Sequence, residues 1–216
     1  MPTEGLTRTF SASLAILVAG FMAIGQATDM GRAFTTETLR RQEVARQPRP
    51  LPEFVLRDAT GRNTSLHPLL ASDGRVQIVG FVYTRCQTVC RSLGSTYQQL
   101  QGQLVERGLQ GKVGLLSISF DPAGDSAAAL REYAQRMRMQ PQVWRIVTLA
   151  LEADRQRLLD AFGIMVVPAP YGEFEHNSAL HIVSADGRLI RIVDDASPAL
   201  AIDIASGLAQ SVAPSR

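Results

Sequence analysis

Cysteine is scarce in this 216-residue chain, which has only Cys86 and Cys90, both in one short segment. That supply excludes a disulfide-stapled mini-domain, whose cysteines would be spread along the chain. A structural zinc site is excluded as well: it takes four ligands, and no second Cys or His pair lies nearby. Lysine is nearly missing too. Lys112 is alone among 22 basic residues, a matter of genomic base composition and not of function. Neither charge is in large excess. The formal net charge is +2, and the sequence has no clustered basic face of the kind that marks a nucleic-acid partner. Repeats and low-complexity tracts are absent. The length suits one good core and is short for two.

What is present begins with an apolar run, Phe10 to Gly25, which comes after Arg8 and stays uncharged as far as Thr28. Counted to Thr28, it approaches the roughly 20 residues that cross a bilayer. The small residues Gly25 and Ala27 also allow a cleaved signal peptide. An uncleaved anchor with Arg8 inside is the favoured expectation, and either reading exports the remainder of the chain. Residues 1–28 are therefore assigned as anchor or signal segment. Residues 29–52 form a polar, Pro-rich linker ending in QPRPLP, a stiff spacer.

From Glu53 onward the pattern is that of one α/β domain, expected over 53–212. RVQIVGFVYT and KVGLLSISF are almost continuously apolar, as strands covered on both faces must be. The segment TVCRSLGSTYQQLQGQLVERG has helical spacing. Asp125 is placed to cap the helix SAAALREYAQRMRM, and strand WRIVTL then gives way to helix EADRQRLLDAF. ALHIVS and RLIRIVD read as a hairpin about the Asp186-Gly187 turn, and a last helix opens at Ser197-Pro198. Alternating strands and helices, closed by a hairpin and a helix, predict an α/β sandwich with a mixed central sheet.

The two cysteines come directly after the most buried strand and open the next helix. Unpaired N–H groups and the positive end of the helix dipole stabilise thiolate there. Cys-x-x-x-Cys spacing can put both sulfurs on one face of a first turn. The residues alone leave two readings. One is redox chemistry through a reversible Cys86–Cys90 disulfide; the other is a soft metal such as Cu(I).

FVYTRCQTVC, then SISFDPAGD, then EHNSALHIVSADGRL, closely resemble the Sco/SenC family of copper-binding, thioredoxin-fold proteins, in order and in spacing from about Pro52 to Asp195. The resemblance implies a thioredoxin-like sandwich and a copper site, Cu(I) or Cu(II), held by Cys86, Cys90 and His176. It also places Asp121 near that site. It implies delivery of copper to the binuclear site of cytochrome c oxidase subunit II or to another copper-receiving client. A single-pass location in a bacterial inner membrane, with the domain on the periplasmic side, goes with it. The chain departs from the family pattern at Gln87 and Arg91, where many relatives have proline, and at Glu175 and Asn177 beside the histidine.

Each site residue also has a plainer reading. Asp121 before Pro122 is equally well a turn residue. His176 could be a loop histidine, whereas His181 lies inside a strand and is expected to pack. His67 is expected to be exposed. Met137 and Met139 are read as packing residues and Trp144 as core. The competing function is a thiol–disulfide reductase in which Cys86 attacks and Cys90 resolves. His176 separates the two, since a pure oxidoreductase does not need it.

Overall fold

The structure is a computed structural model that describes residues 12–23, 36–85, 89–169 and 174–211. It divides into two units, residues 1–43 and 44–216. Within the first, helix α1 covers 12–23 and exposes apolar side chains, among them Leu17 and Phe21. At 1.5 Å per residue those residues span about 18 Å, well short of a bilayer's hydrocarbon core. Among the described residues no helix is long and apolar enough to cross a membrane, so the membrane helix expected within 1–28 is not borne out. Residues 1–11 and 24–35 lie outside the described residues. The polar helix α2, Thr36–Arg46, carries the chain into the second unit.

The second unit is built on a sheet to which eight strands contribute among the described residues. In chain order they are β1 (Arg49–Pro50), β2 (Val55–Asp58), β3 (Asn63–Ser65), β4 (Val76–Val82), β5 (Val113–Ser119), β6 (Trp144–Leu149), β9 (Leu180–Val183) and β10 (Arg188–Val193). Their spatial order is β1-β10-β9-β4-β5-β6-β2-β3. The central pairs β4–β5 and β5–β6 are parallel, and those flanking them are antiparallel. The sheet is therefore mixed, as expected. Two further short strands, β7 (Val166–Pro168) and β8 (Phe174–His176), pair with each other and, among the described residues, with no other strand.

Every residue of β4 and β5 is buried, because helices cover both faces. Alternation sorts their side chains. Ile78, Val82 and Leu115 face a core shared with α4 (Val89–Glu106), α5 (Ala127–Arg136) and α7 (Pro198–Ser211). Val79, Phe81, Leu116 and Ile118 face the other core, filled by Leu66 and Leu70 of α3 (Leu66–Asp73) and Leu158 and Phe162 of α6 (Arg155–Phe162). Gly80 leaves room for Tyr97: a Cβ there would lie 2.6 Å from the tyrosine oxygen, which donates to the Ile78 carbonyl at 3.1 Å. Trp144 is buried as expected, and Met137 and Met139 pack against the same core.

The Pro-rich segment supplies structure as well as length. Val44 and Leu51 are core residues, and β1 pairs Arg49 with Leu189 and Pro50 with Arg188. Proline is tolerated there because an edge strand needs partners on one side only.

Candidate functional site

Because β4 and β5 run parallel and in register, Val82 opposite Ser119, their C-terminal ends leave the sheet side by side. Beyond β4 come Tyr83, Thr84, Arg85 and Cys86; beyond β5 come Phe120, Asp121 and the turn to Asp125. The cysteine segment thus emerges beside the SFDPAGD segment, joining two motifs well separated in sequence.

Thr84, two residues before Cys86, is fixed on every polar atom. Its N–H donates to the Asp125 carboxylate at 2.9 Å and its hydroxyl donates to the same group at 2.5 Å. Its carbonyl accepts from Arg136 Nη2 at 2.9 Å. Asp125 is wholly buried and also accepts from the Ser119 hydroxyl. Burial pushes its carboxyl above the ordinary aspartate range and nearby Asp121 adds to the rise, while the hydrogen bonds from Ser119 and Thr84 oppose it. The expected helix cap is corrected here. Ser126 caps α5, its hydroxyl accepting from Ala129 N–H at 3.2 Å, and Asp125 is drawn inward to Thr84.

Asp121 is buried, with 4% of its side chain exposed, and sits between two arginines. Arg85 Nη2 donates to Oδ2 at 2.7 Å, and Arg155 Nη2, from α6, donates to Oδ1 at 3.2 Å. Gly124 N–H donates to Oδ1 as well, at 3.2 Å. Gly124 has no room for a side chain: a Cβ would collide with the Asp121 carboxylate and lie 2.6 Å from the Arg85 guanidinium. Asp121 is thus both turn residue and anchor, and what it anchors is the residue immediately before Cys86.

Cys86 lies outside the described residues, and Cys90 is placed by its backbone, in the first turn of α4. That position agrees with the expected helix start and its thiolate-stabilising N–H groups. Among the described residues no three His, Cys, Asp or Glu side chains gather as a metal site. His176 is half-buried on β8, opposite Val166 of β7. Its ring lies 5.3 Å from that of Phe120 and 6.5 Å from that of Tyr83, both edge-on, so it stands over the ends of β5 and β4. Nδ1 is 3.1 Å from the Asn177 carbonyl, which can only accept. Nδ1 is therefore the donor in that contact, and the bond sets the orientation of the ring.

Sequence reasoning missed what holds the β7–β8 hairpin. Asn177 closes its base: Met165 N–H donates to Asn177 Oδ1 at 2.7 Å, and Asn177 Nδ2 donates to the Gly163 carbonyl at 3.2 Å. The Tyr83 hydroxyl holds its other strand, donating to the Phe174 carbonyl and accepting from Phe174 N–H, each at 3.1 Å. No local pattern announces either contact, since each joins residues far apart in sequence.

The remaining histidines are elsewhere. His181 is fully buried as expected, between Phe81 and Phe162, with Nε2 3.0 Å from the Phe162 carbonyl. His67 is less exposed than expected. Its Nε2 donates to the Leu51 carbonyl at 2.9 Å, and its ring fills the space beside Gly187.

Comparison with known proteins bears on the same elements. The SCO1/SenC family model matches residues 43–212. The SCO1 protein homolog of Bacillus subtilis (strain 168) is 25% identical over 140 residues, covering 64% of this chain and 70% of that protein. Among solved structures, BsSco is similar at TM-score 0.63 and 24% identity, over 77% of this chain and 96% of that one. BsSco is described as a member of the Sco family of cytochrome c oxidase assembly proteins, with a disulfide switch. Yeast Sco1 with copper bound is similar at TM-score 0.61 and 19% identity, over 78% of this chain and 92% of that one. At these identities the solved structures show the fold, the thioredoxin-like sandwich expected from the sequence.

Proposed function

This chain belongs to the SCO1/SenC family, and from that premise we propose that it binds one copper ion through Cys86, Cys90 and His176 and passes it to a client. The observation that carries the reading is the place of His176. It stands over Tyr83, three positions before Cys86 at the end of β4, and over Phe120 at the end of the neighbouring β5. The donor set fits the ion: two thiolates and a neutral imidazole suit copper in either oxidation state. The Nδ1–H···O=C bond to Asn177 orients the ring, as partners of a ligating histidine commonly do.

Copper here is cargo, and three ligands leave a side of it open to an incoming protein. The client we propose is subunit II of cytochrome c oxidase, at its binuclear copper site. The relation to BsSco, a member of a family of oxidase assembly proteins, supports this. The exposed apolar side chains of the 12–23 helix support membrane association. The protein's own residues do the positioning. Asp125 and Arg136 hold Thr84, Asp121 holds Arg85, and the cysteine segment starts from that fixed base.

The test is copper binding by the reduced full chain, with stoichiometry and absorption measured on the product. One copper per chain is expected, with a thiolate-to-Cu(II) charge-transfer band that either cysteine replacement abolishes. His176→Ala should weaken Cu(II) binding and shift the band. A His176→Ala chain with wild-type affinity and spectrum refutes the ligand set. A chain that binds no copper yet reduces disulfides would make it a reductase instead.

A further inference from the structure

Among the described residues the hairpin that carries His176 is no part of the main sheet: β7 and β8 form a separate two-stranded pair. The ligand set proposed for copper is therefore divided between two bodies: Cys86 follows β4 in sequence and Cys90 lies in the first turn of α4, whereas the histidine is on a two-stranded ribbon. Something must hold those bodies in register, and one side chain spans them. Tyr83 is fully buried, directly follows β4 and precedes Cys86 by three positions. Its hydroxyl saturates the main chain of Phe174 in both directions, and Phe174 is two residues from His176 on the same strand.

Ring packing makes the clamp specific. The Tyr83 ring meets Phe174 edge-on at 5.3 Å and Phe120 at 5.6 Å, and Phe120 meets the His176 ring at 5.3 Å. Residues i and i+2 of a strand share a face, so Phe174 and His176 both point toward these rings. A hydroxyl that accepts one bond and donates another to a single residue's main chain fixes both the height and the twist of β8. A phenyl ring in its place would keep the packing and lose that constraint.

We infer that Tyr83 is a positioning residue for His176, setting where the imidazole stands over the ends of β4 and β5; this rests on the copper reading of the site. The substitution to make is Tyr83→Phe in the full chain, with Tyr97→Phe as control. Tyr97 is equally buried, and its hydroxyl bonds to Ile78 in the opposite core.

Two measurements are needed. The first is Cu(II) affinity and the nitrogen signature of the bound ion. Losing a group that orients a ligand should weaken binding by about ten- to a hundredfold and broaden the nitrogen coupling. Tyr97→Phe should bind as wild type. The second needs no metal. The chain has three histidines, so the His176 ring resonances can be assigned in the copper-free protein. They should shift or broaden in Tyr83→Phe, while those of His181 and His67 stay in place.

Wild-type affinity with unmoved His176 resonances in Tyr83→Phe overturns the inference. Equal losses in both tyrosine variants also overturn it, because the effect would then be one of general stability. Failure of the copper reading looks different: in that case wild type and His176→Ala bind copper alike, or neither binds it.

Discussion

Replacing Asp125 with alanine should cost about 3 kcal/mol of folding stability. The figure comes from counting what the carboxylate satisfies. It accepts from Thr84 N–H, from the Thr84 hydroxyl and from the Ser119 hydroxyl. The two hydroxyls can turn to other acceptors, so each loss is about 1 kcal/mol or less. The Thr84 N–H cannot turn and is nearly shut off from water, with the residue 7% exposed. A buried donor left without a partner costs about 1–3 kcal/mol. Asp125→Asn keeps the shape and one oxygen for that N–H, and Ser119 can accept from the new amide, so its cost at neutral pH should be below about 1 kcal/mol. The two variants also separate in pH dependence. The folded carboxyl has a raised pKa, chiefly through burial, so the folded chain holds the proton more tightly than the unfolded one. The stabilising contribution is thus complete below the unfolded value, about 3.9, and is lost as pH rises through the higher folded value. Wild type should gain on Asp125→Asn as the pH falls through that window. Urea unfolding of the three proteins at a series of pH values measures both effects. An Asp125→Ala chain within about 0.5 kcal/mol of wild type, or a wild-type-minus-Asn difference that is flat with pH, would refute the argument.

Three further outcomes are expected. Gly124→Ala should displace the Arg85–Asp121 pair, since its Cβ has no space beside them; cysteine alkylation rates should change while far-UV circular dichroism does not. Cys86 and Cys90 should form a reversible disulfide from which copper protects them, because thiolate cannot be nucleophile and ligand together. Mild oxidant and a subsequent count of free thiols test this, and equal rates with and without copper would end the coupling. His181→Ala, which opens a hole between Phe81 and Phe162 and frees the Phe162 carbonyl, should cost about 2–4 kcal/mol in a urea melt with copper affinity unchanged.

Elements whose environment is uniform were legible in the sequence. The apolar runs of β4 and β5 announce strands buried on both sides, and they are. The Asp186-Gly187 turn gives the β9–β10 hairpin, with Gly187 at φ +78° as a tight turn requires. What escaped were features that depend on distant partners. β1 hides in a Pro-rich stretch because a two-residue edge strand needs no apolar period, only the neighbouring β10. β7 and β8 are three residues each, too short for any period to show. Asp125 has the local chemistry of a helix cap, yet Thr84, 41 residues earlier in the chain, claims its carboxylate. The candidate site was nameable as residue types, the cysteine pair from its place at a helix start and His176 from the resemblance to the Sco/SenC family. Its scaffold of Tyr83, Thr84, Asp125 and Asn177 was not, since each acts through a long-range hydrogen bond.

The outermost strand also decides how the domain bears mechanical load. The chain enters the sheet at β1, and the order β1-β10-β9-β4 puts two strands between that entry and the strand leading to Cys86. A pull from the N-terminal side falls first on Val44, packed in the core, and then on the Arg49–Leu189 and Pro50–Arg188 pairs. Next come Arg188 Nη2 on the Pro48 carbonyl at 2.6 Å and Arg49 Nη2 on the Ala161 carbonyl at 2.9 Å. Apart from the core packing of Val44 and Leu51, these holds are few and lie at the sheet edge. Tension would peel β1 away before it reached the seven-residue ladder between β4 and β5 from which the cysteine segment springs. A domain attached by its N-terminus could be tugged by whatever holds it while the geometry at the far end of those strands stayed still.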